Sequence, residues 1–295
     1  MADDAACVVV TYDALPWIEQ CLASVAGVET VVVDNGSSDG TVAFVRERFP
    51  AVGVIEAENR GLAAGWNRGI GETRAEHLLI LNADAWLVGD ALPTLLAVAR
   101  RHPCAAVVAP RLRNRDGTLQ RSVRGFPTLW RIATEYLYLR KLAPRSKALN
   151  AFYAGGFDHD KERVVDWVMG SCFLIRRSVY DEVGPFDERF FLFSEEVEWI
   201  RRARDRGHET VFTPDAECVH VGGASHGGRL FRENVRGQLR YLALHGRPRE
   251  AERARRLLRA SLLVRGRLHR GERARLYRDT AAWLGTGDVG RLLEE

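Results

Sequence analysis

At 295 residues and 46% hydrophobic content, the chain is long enough for one large α/β domain or two small ones, with ample apolar material for a packed core. Its formal net charge of +4 is modest and its basic residues are nearly all arginine, so charge implies no nucleic-acid partner and says little about any other. No apolar window of about eighteen residues occurs, and Met1–Ala6 is no basic leader, which reads as a cytoplasmic protein.

The first hundred residues alternate short apolar runs with helical patterns. Strands are predicted over Cys7–Thr11, Thr30–Asp34, Val52–Glu56 and His77–Asn82, with helices near Pro16–Val25, Gly40–Phe49 and Ala63–Thr73. Such alternation predicts an α/β fold, a doubly wound and mostly parallel sheet. Ligands bind such sheets beyond the carboxyl ends of the strands. There the sequence places Thr11-Tyr12, the run Asp34-Asn35-Gly36-Ser37-Ser38-Asp39-Gly40, Asn59-Arg60-Gly61 and Asn82-Ala83-Asp84.

From about Arg111 to Arg163 the periodicity weakens, with a hairpin turn expected at Asn114-Arg115-Asp116-Gly117. Regular structure returns with the apolar run Trp167–Ile175, a helix near Ser178–Val183 and a helix over Ser194–Arg206, with Ser194 as its N-cap. A short strand at Glu209–Phe212 and a segment Glu217–Val221 follow. The tail from Arg229 is helical and Arg-rich, punctuated by Gly246 and Gly266. Five well-separated cysteines with no C-x-x-C pair argue against disulfides and structural zinc.

Three constellations carry chemistry. In the Asp34–Gly40 turn a carboxylate could accept from a base or a ribose hydroxyl, or Asp34 and Asp39 could simply build an Asx-turn and cap the next helix; the residues leave both open. The strand ending Asn82-Ala83-Asp84 sets two oxygen-bearing side chains two residues apart, a spacing that suits Mg²⁺ or Mn²⁺ with a diphosphate. The run Phe190–Phe193 delivers Glu195, Glu196 and Glu198 to a helix start, where apolar surroundings would raise a carboxylate toward the range of a general base. His220, between apolar residues beside a Gly-rich turn, reads on its own as structural.

Taken in order, these segments resemble the family 2 glycosyltransferases, particularly the bacterial rhamnosyltransferase-like branch, over roughly residues 6 to 225. The carriers are Val8-Val9-Val10-Thr11-Tyr12, Val33–Thr41, Glu58–Gly69, Leu81-Asn82-Ala83-Asp84, Gly170–Arg177, Val183–Phe191 and His220-Val221-Gly222-Gly223-Ala224-Ser225. The resemblance implies a glycosyltransferase A-type fold with a helical C-terminal tail: residues 1–105 as the nucleotide-sugar half, 106–225 as the acceptor and catalytic half, and 226–295 as a helical extension. It implies an inverting transfer from a nucleotide diphosphate sugar, dTDP- or UDP-linked with dTDP-rhamnose the branch's guess, to an acceptor hydroxyl on a glycan, a lipid-linked sugar or a small molecule. Thr11, Tyr12, Asp34, Asn35, Asn59, Arg60, Gly61, Asn67, Asn82, Ala83 and Asp84 would line the nucleotide-sugar site. Asp84 would hold a divalent metal, Mg²⁺ or Mn²⁺, with His220 as a second contact, which reverses the reading of that histidine taken alone. Glu196, beside Glu195, would be the base. Two departures stand out: the family's acidic pair is normally Glu-Asp and here is Glu-Glu, about one methylene longer, and Asn82 replaces the first acid of the usual metal motif. The basic tail leaves room for contact with the inner face of a membrane, and the reading leaves room for a homodimer. Competing readings are a binding protein of the same fold with dead chemistry and, less well matched, a sugar nucleotidyltransferase or a dinucleotide-dependent oxidoreductase, both of which lack their Gly-rich loop here.

Overall fold

The computed structural model describes residues 4–222, 228–247 and 249–294. In chain order the elements are β1 (Ala5–Thr11), α1 (Ile18–Ala23), β2 (Glu29–Asp34), α2 (Thr41–Arg48), β3 (Gly53–Glu56), α3 (Leu62–Gly71), β4 (His77–Asn82), β5 (Ala85–Val88), α4 (Ala91–Arg101), β6 (Ala105–Arg113), β7 (Leu119–Gln120) and β8 (Val123–Arg124). They continue with α5 (Leu129–Tyr136), α6 (Leu139–Leu142), β9 (Arg163–Val165), β10 (Trp167–Val168), β11 (Cys172–Arg176), α7 (Arg177–Val183), α8 (Glu195–Asp205), β12 (Glu209–His220), α9 (Gly228–His245), α10 (Glu250–Leu268), α11 (Gly271–Trp283) and α12 (Val289–Glu294).

The chain forms two compact units. One comprises Met1–Val123, Asp158–Phe191 and Glu195–Ala224; the other comprises Arg124–Phe157, Leu192–Ser194 and Ser225–Glu295. The first unit is an α/β doubly wound, mostly parallel sheet of order β3-β2-β1-β4-β11-β6-β12-β5. Strands β1 to β4 pair in parallel, β11 runs antiparallel to β4 and β6, and β12 is parallel to β6 but antiparallel to β5. Buried on both faces, its strands read as continuous apolar runs, as in Val31-Val32-Val33 and Leu78-Leu79-Ile80-Leu81. Cys7, Cys21, Cys172 and Cys218 pack in the core as free thiols; burial pushes Cys7 and Cys21 well above the usual thiol range, and a hydrogen bond with Cys218, together with burial, does the same to Cys172.

The close seating of α3 on β1 has a sequence cause. Gly65 and Gly69 are four residues apart and so share one helix face. A Cβ at Gly65 would stand 2.7 Å from Val10 Cγ2, and one at Gly69 would collide with Val8 Cγ1. Gly69→Val is therefore expected to destabilise the protein by at least about 1–3 kcal/mol through overpacking. Denaturant unfolding checks this; a wild-type midpoint would mean that α3 does not lie where described.

Several expectations need correction. The predicted pieces Glu209–Phe212 and Glu217–Val221 belong to one strand, β12, whose pairing with β6 shifts register between Thr213 and Glu217. Pro214 lies in that interval and has no N–H to give the ladder, so the strand bulges there rather than ending. The run Trp167–Ile175 is two strands, β10 and β11, broken at Met169-Gly170-Ser171. Strands β5 and β6 and helix α4 were not anticipated, nor were the short helices α5 and α6 in the weakly periodic stretch. Ser194 enters α8 with φ 75°, left-handed like Phe193 at 71°, not the extended backbone of an ordinary N-cap.

The second unit is helical among its described residues. Gly246 follows the end of α9 as expected, but Gly266 lies inside α10. A Cβ at Gly266 would come within 2.7 Å of Arg278 Cγ, so that glycine admits α11 against α10 rather than breaking the helix. No helix among the described residues is long and apolar enough to cross a membrane.

Candidate donor and catalytic site

The ends of β1 and β2 meet at Asp34, which is 2% exposed. Its Oδ1 accepts from the hydroxyls of Thr11, at 2.8 Å, and Ser37, and its Oδ2 accepts from the N–H groups of Gly36 (3.0 Å) and Ser37 (2.8 Å). Asp34 thus builds an Asx-turn and locks it to β1, while Asp39 caps Thr41 through its N–H at 3.0 Å and its hydroxyl at 2.6 Å. Tyr12 is 60% exposed beyond the end of β1.

Behind this turn Asn35 Nδ2 donates to Gly61 O at 3.2 Å, and Asn59 Oδ1 accepts from Gly61 N at 3.2 Å. Gly61 has φ 98°, and any Cβ there would strike the Phe191 carbonyl, the same carbonyl that accepts from Leu62 N at 2.8 Å. Only glycine satisfies both demands. Arg60 pairs with Glu188 at 3.0 Å. Asn67 directs its whole amide at the 180–188 stretch: Oδ1 accepts from Tyr180 Oη and Phe186 N, and Nδ2 donates to Phe186 O and Glu188 Oε1. Between these residues lies a pocket of about 240 Å³ lined by Val33, Asn35, Ala57, Glu58, Arg60 and Arg68 among others. It is smaller than the ~300–1,000 Å³ of a whole small-molecule site and so has room for only part of a nucleotide sugar.

Strand β4 delivers Asn82, whose N–H donates to Ser171 O at 2.9 Å. Its side-chain amide makes no hydrogen bond among the described residues, leaving a donor and an acceptor at the strand end. Ala83, 8% exposed, turns the chain into Asp84. Because Ala85 pairs with His220 across β5 and β12, Asp84 and His220 become neighbours. Asp84 Oδ1 lies 3.4 Å from His220 Nε2, and its Oδ2 accepts from Gly222 N at 3.1 Å. Burial would raise the Asp84 carboxyl, but His220 and the Gly222 N–H outweigh it and hold the group below its ordinary value. Gly223, Ala224 and Ser225 lie outside the described residues.

These donors fit a hard divalent cation. Among the described residues no cluster of three His, Cys, Asp or Glu side chains could cage a metal. Mg²⁺-type ions do not need one, because they take one or two protein ligands and complete their shell with phosphates and water. Two ligands about 2.1 Å from an octahedral ion sit about 3 Å apart, close to the Asp84–His220 separation.

Helix α8 opens with three acids that the packing separates. Glu198 is bound at both oxygens by Arg202 Nε at 2.9 Å, and Arg202 in turn donates to Val183 O and Pro185 O, so this acid clamps the helix. Glu195 is 2% exposed, and burial, reinforced by the charge of Glu196, pushes its carboxyl well above the ordinary range. The helix N-terminus favours the anion by only about 0.3–1 kcal/mol, less than the several kcal/mol of lost hydration. Glu196, 8% exposed, accepts from Gly170 N at 3.3 Å through Oε1. Gly170 sits on an aromatic floor: a Cβ there would stand 3.1 Å from Trp66, which packs on Phe173 and Phe186 with centroids 5.7 and 5.0 Å away. Ser171, the next residue, accepts from Asn82, so one dipeptide links α8 to the strand end that bears Asp84.

Glu195→Gln tests the burial argument by pH. A carboxyl whose folded pKa lies above its unfolded value binds more protons in the folded state, so its contribution to stability is full below the unfolded value of 4.5 and is lost as pH rises through the folded value. The variant should melt higher than wild type at pH 8 and match it near pH 4. A difference that does not vary with pH would show that Glu195 is not held neutral.

No local sequence pattern assigns a role to Gly170, Glu188 or Gln120. Gly170 and Glu188 lie inside two of the quoted motifs. Gln120 follows the predicted hairpin turn, where the register of the returning strand would have pointed to it.

The profile described as Glycosyl transferase family 2 matches residues 6–184. The chain is 32% identical over 237 residues to the N-acetylglucosaminyl-diphospho-decaprenol L-rhamnosyltransferase of Mycobacterium tuberculosis (strain CDC 1551 / Oshkosh), covering 75% of this chain and 76% of the relative. Among solved structures, the mannosyltransferase PcManGT from Pyrobaculum calidifontis, in complex with GDP-Man and Mn²⁺, aligns with a TM-score of 0.58 at 20% identity over 99% of this chain and 85% of its own. S. aureus TarS 1-349 in complex with UDP aligns at 0.52 and 17% identity over 88% and 70%. At such identities the structural likeness speaks for the fold, which is the glycosyltransferase A-type architecture expected from the sequence.

Proposed function

We propose, from the premise that the chain belongs to glycosyl transferase family 2, that this glycosyltransferase inverts the anomeric centre of a nucleotide diphosphate sugar, with Glu196 as general base and a divalent cation at Asp84 and His220. The observation that carries the reading is the Gly170-Ser171 link, which brings a buried glutamate on α8 to the strand end bearing Asn82 and Asp84.

In this account residues 1–105 hold the donor, 106–225 the acceptor and the base, and 226–295 form the helical extension. The pocket beside Asn35 and Arg60 takes part of the nucleotide, with Thr11 and Asp34 shaping its turn and Tyr12 closing over it. Asn67 acts through the 186–188 segment, holding Glu188 toward Arg60. Asp84 and His220 would hold Mg²⁺ or Mn²⁺, which would offset the negative charge of the leaving diphosphate. Asn82 hydrogen-bonds the ribose or a bound water. Glu196 takes the acceptor proton as that oxygen attacks the anomeric carbon from the face opposite the nucleotide, and the Gly170 N–H holds the carboxylate in line. Glu195, neutral beside it, adds no competing charge. Because a relative is named for L-rhamnosyl transfer to a decaprenyl diphosphate-linked sugar, the first donor to try is dTDP-rhamnose and the first acceptor a polyprenyl diphosphate-linked sugar at the cytoplasmic face of a membrane.

The test is release of nucleoside diphosphate from dTDP-rhamnose, UDP-sugars and GDP-mannose with such an acceptor, with the product's anomeric configuration read by NMR. The expected result is one preferred donor and inverted stereochemistry. A product of retained configuration would rule out direct displacement assisted by Glu196.

A further inference from the structure

The β6–β7 hairpin carries a chain of hydrogen bonds whose direction is set at its outer end. Asp116 Oδ1 accepts from the N–H of Thr118 at 2.9 Å and from its hydroxyl, and those bonds hold the carboxyl below its ordinary value, as the acceptor-only anion. The Thr118 hydroxyl has spent its one proton, so it accepts from Asn114 Nδ2 at 2.9 Å. Asn114 therefore presents Oδ1 inward, where Gln120 Nε2 donates at 2.9 Å; the same nitrogen donates to His220 O at 3.2 Å. With its amide nitrogen so committed, Gln120 turns Oε1 toward His220 Nδ1, 2.7 Å away. An amide oxygen only accepts, so Nδ1 carries a proton, and whenever the ring is neutral Nε2 is the bare nitrogen. Nε2 lies 3.4 Å from Asp84 Oδ1, so the neutral ring sets a nitrogen lone pair beside a carboxylate oxygen, a pair of donors suited to one divalent cation.

We infer that Gln120 is a positioning residue: it fixes His220 in the Nδ1–H tautomer so that Nε2 serves as a nitrogen donor beside Asp84 for a divalent cation, the polarity being imposed through Asn114 and Thr118 by Asp116. The role rests on the metal reading proposed above. It is the outer-sphere arrangement common to metal-binding histidines, with an amide in place of the usual carboxylate or backbone carbonyl.

Long-range ¹H–¹⁵N spectra of the metal-free protein at pH 9, where an imidazole is neutral, read the tautomer directly, and Mn²⁺ titration followed by EPR in the presence of UDP reads the metal. His220 should carry its proton on Nδ1. Gln120→Leu should mix the tautomers and weaken Mn²⁺ by about 10–100-fold, the usual cost of losing such a partner. Gln120→Glu still accepts from Nδ1 although it no longer donates to Asn114 and His220 O, and should keep the Nδ1–H tautomer and bind Mn²⁺ more tightly than Gln120→Leu. A proton found on Nε2 alone, or wild-type Mn²⁺ affinity in Gln120→Leu, would overturn this role while leaving the metal reading intact. Failure of the wild type itself to bind Mn²⁺ would overturn the metal reading and this role with it.

Discussion

Glu196→Gln should lower kcat by about 10²–10⁴-fold, with the donor's KM and the Mn²⁺ requirement close to wild type. The expectation follows from geometry: Gln keeps an oxygen for Gly170 N, which Glu196 Oε1 now meets at 3.3 Å, so shape and packing persist while the proton acceptor is lost. Glu196→Asp separates reach from basicity. It draws the carboxylate back by one methylene, away from the Gly170 N–H, and a misplacement of about 1 Å can cost about 10²-fold. Aspartate, the commoner residue in the family, is therefore expected to be worse here than glutamate. Steady-state kinetics of the two variants check this, and full activity in Glu196→Gln would remove Glu196 from the chemistry.

Asp84→Asn should instead abolish the metal-dependent part of nucleotide binding, weakening Mn²⁺ by more than about 10²-fold and lowering kcat/KM with it. Asparagine can still accept from Gly222 N, as Asp84 Oδ2 does at 3.1 Å, so the turn at the end of β12 should survive. What is lost is the anionic oxygen beside His220 Nε2. The two substitutions should thus differ in kind: the base variant binds donor and stalls, whereas the metal variant fails to hold the diphosphate. Calorimetric titration with UDP and dTDP, with Mn²⁺ present, distinguishes them, and unchanged affinity in Asp84→Asn would place the cation elsewhere.

What the residues disclosed in advance was the periodic part. The first seven elements announced themselves because the parallel strands are short apolar runs that alternate with helical stretches. Asp84 and His220 stood out as residue types, yet their pairing depends on the Ala85–His220 register across β5 and β12, which no local pattern reveals. Bulging at Pro214 disguised β12 as two pieces, and Gly266 imitated a break because the close approach it permits is a tertiary fact. The three acids of α8 looked alike in sequence. Only packing separates Glu198, held by Arg202, from Glu195, buried beyond easy ionisation, and from Glu196, aimed at Gly170.

The measurement that bears most directly on a cation-assisted donor site is calorimetric titration of the wild-type protein with UDP, dTDP and GDP, in Mn²⁺ and again in chelator. One nucleotide should bind in Mn²⁺ and lose most of its affinity in chelator. Equal binding in both conditions, or no binding of any of the three, would contradict the account.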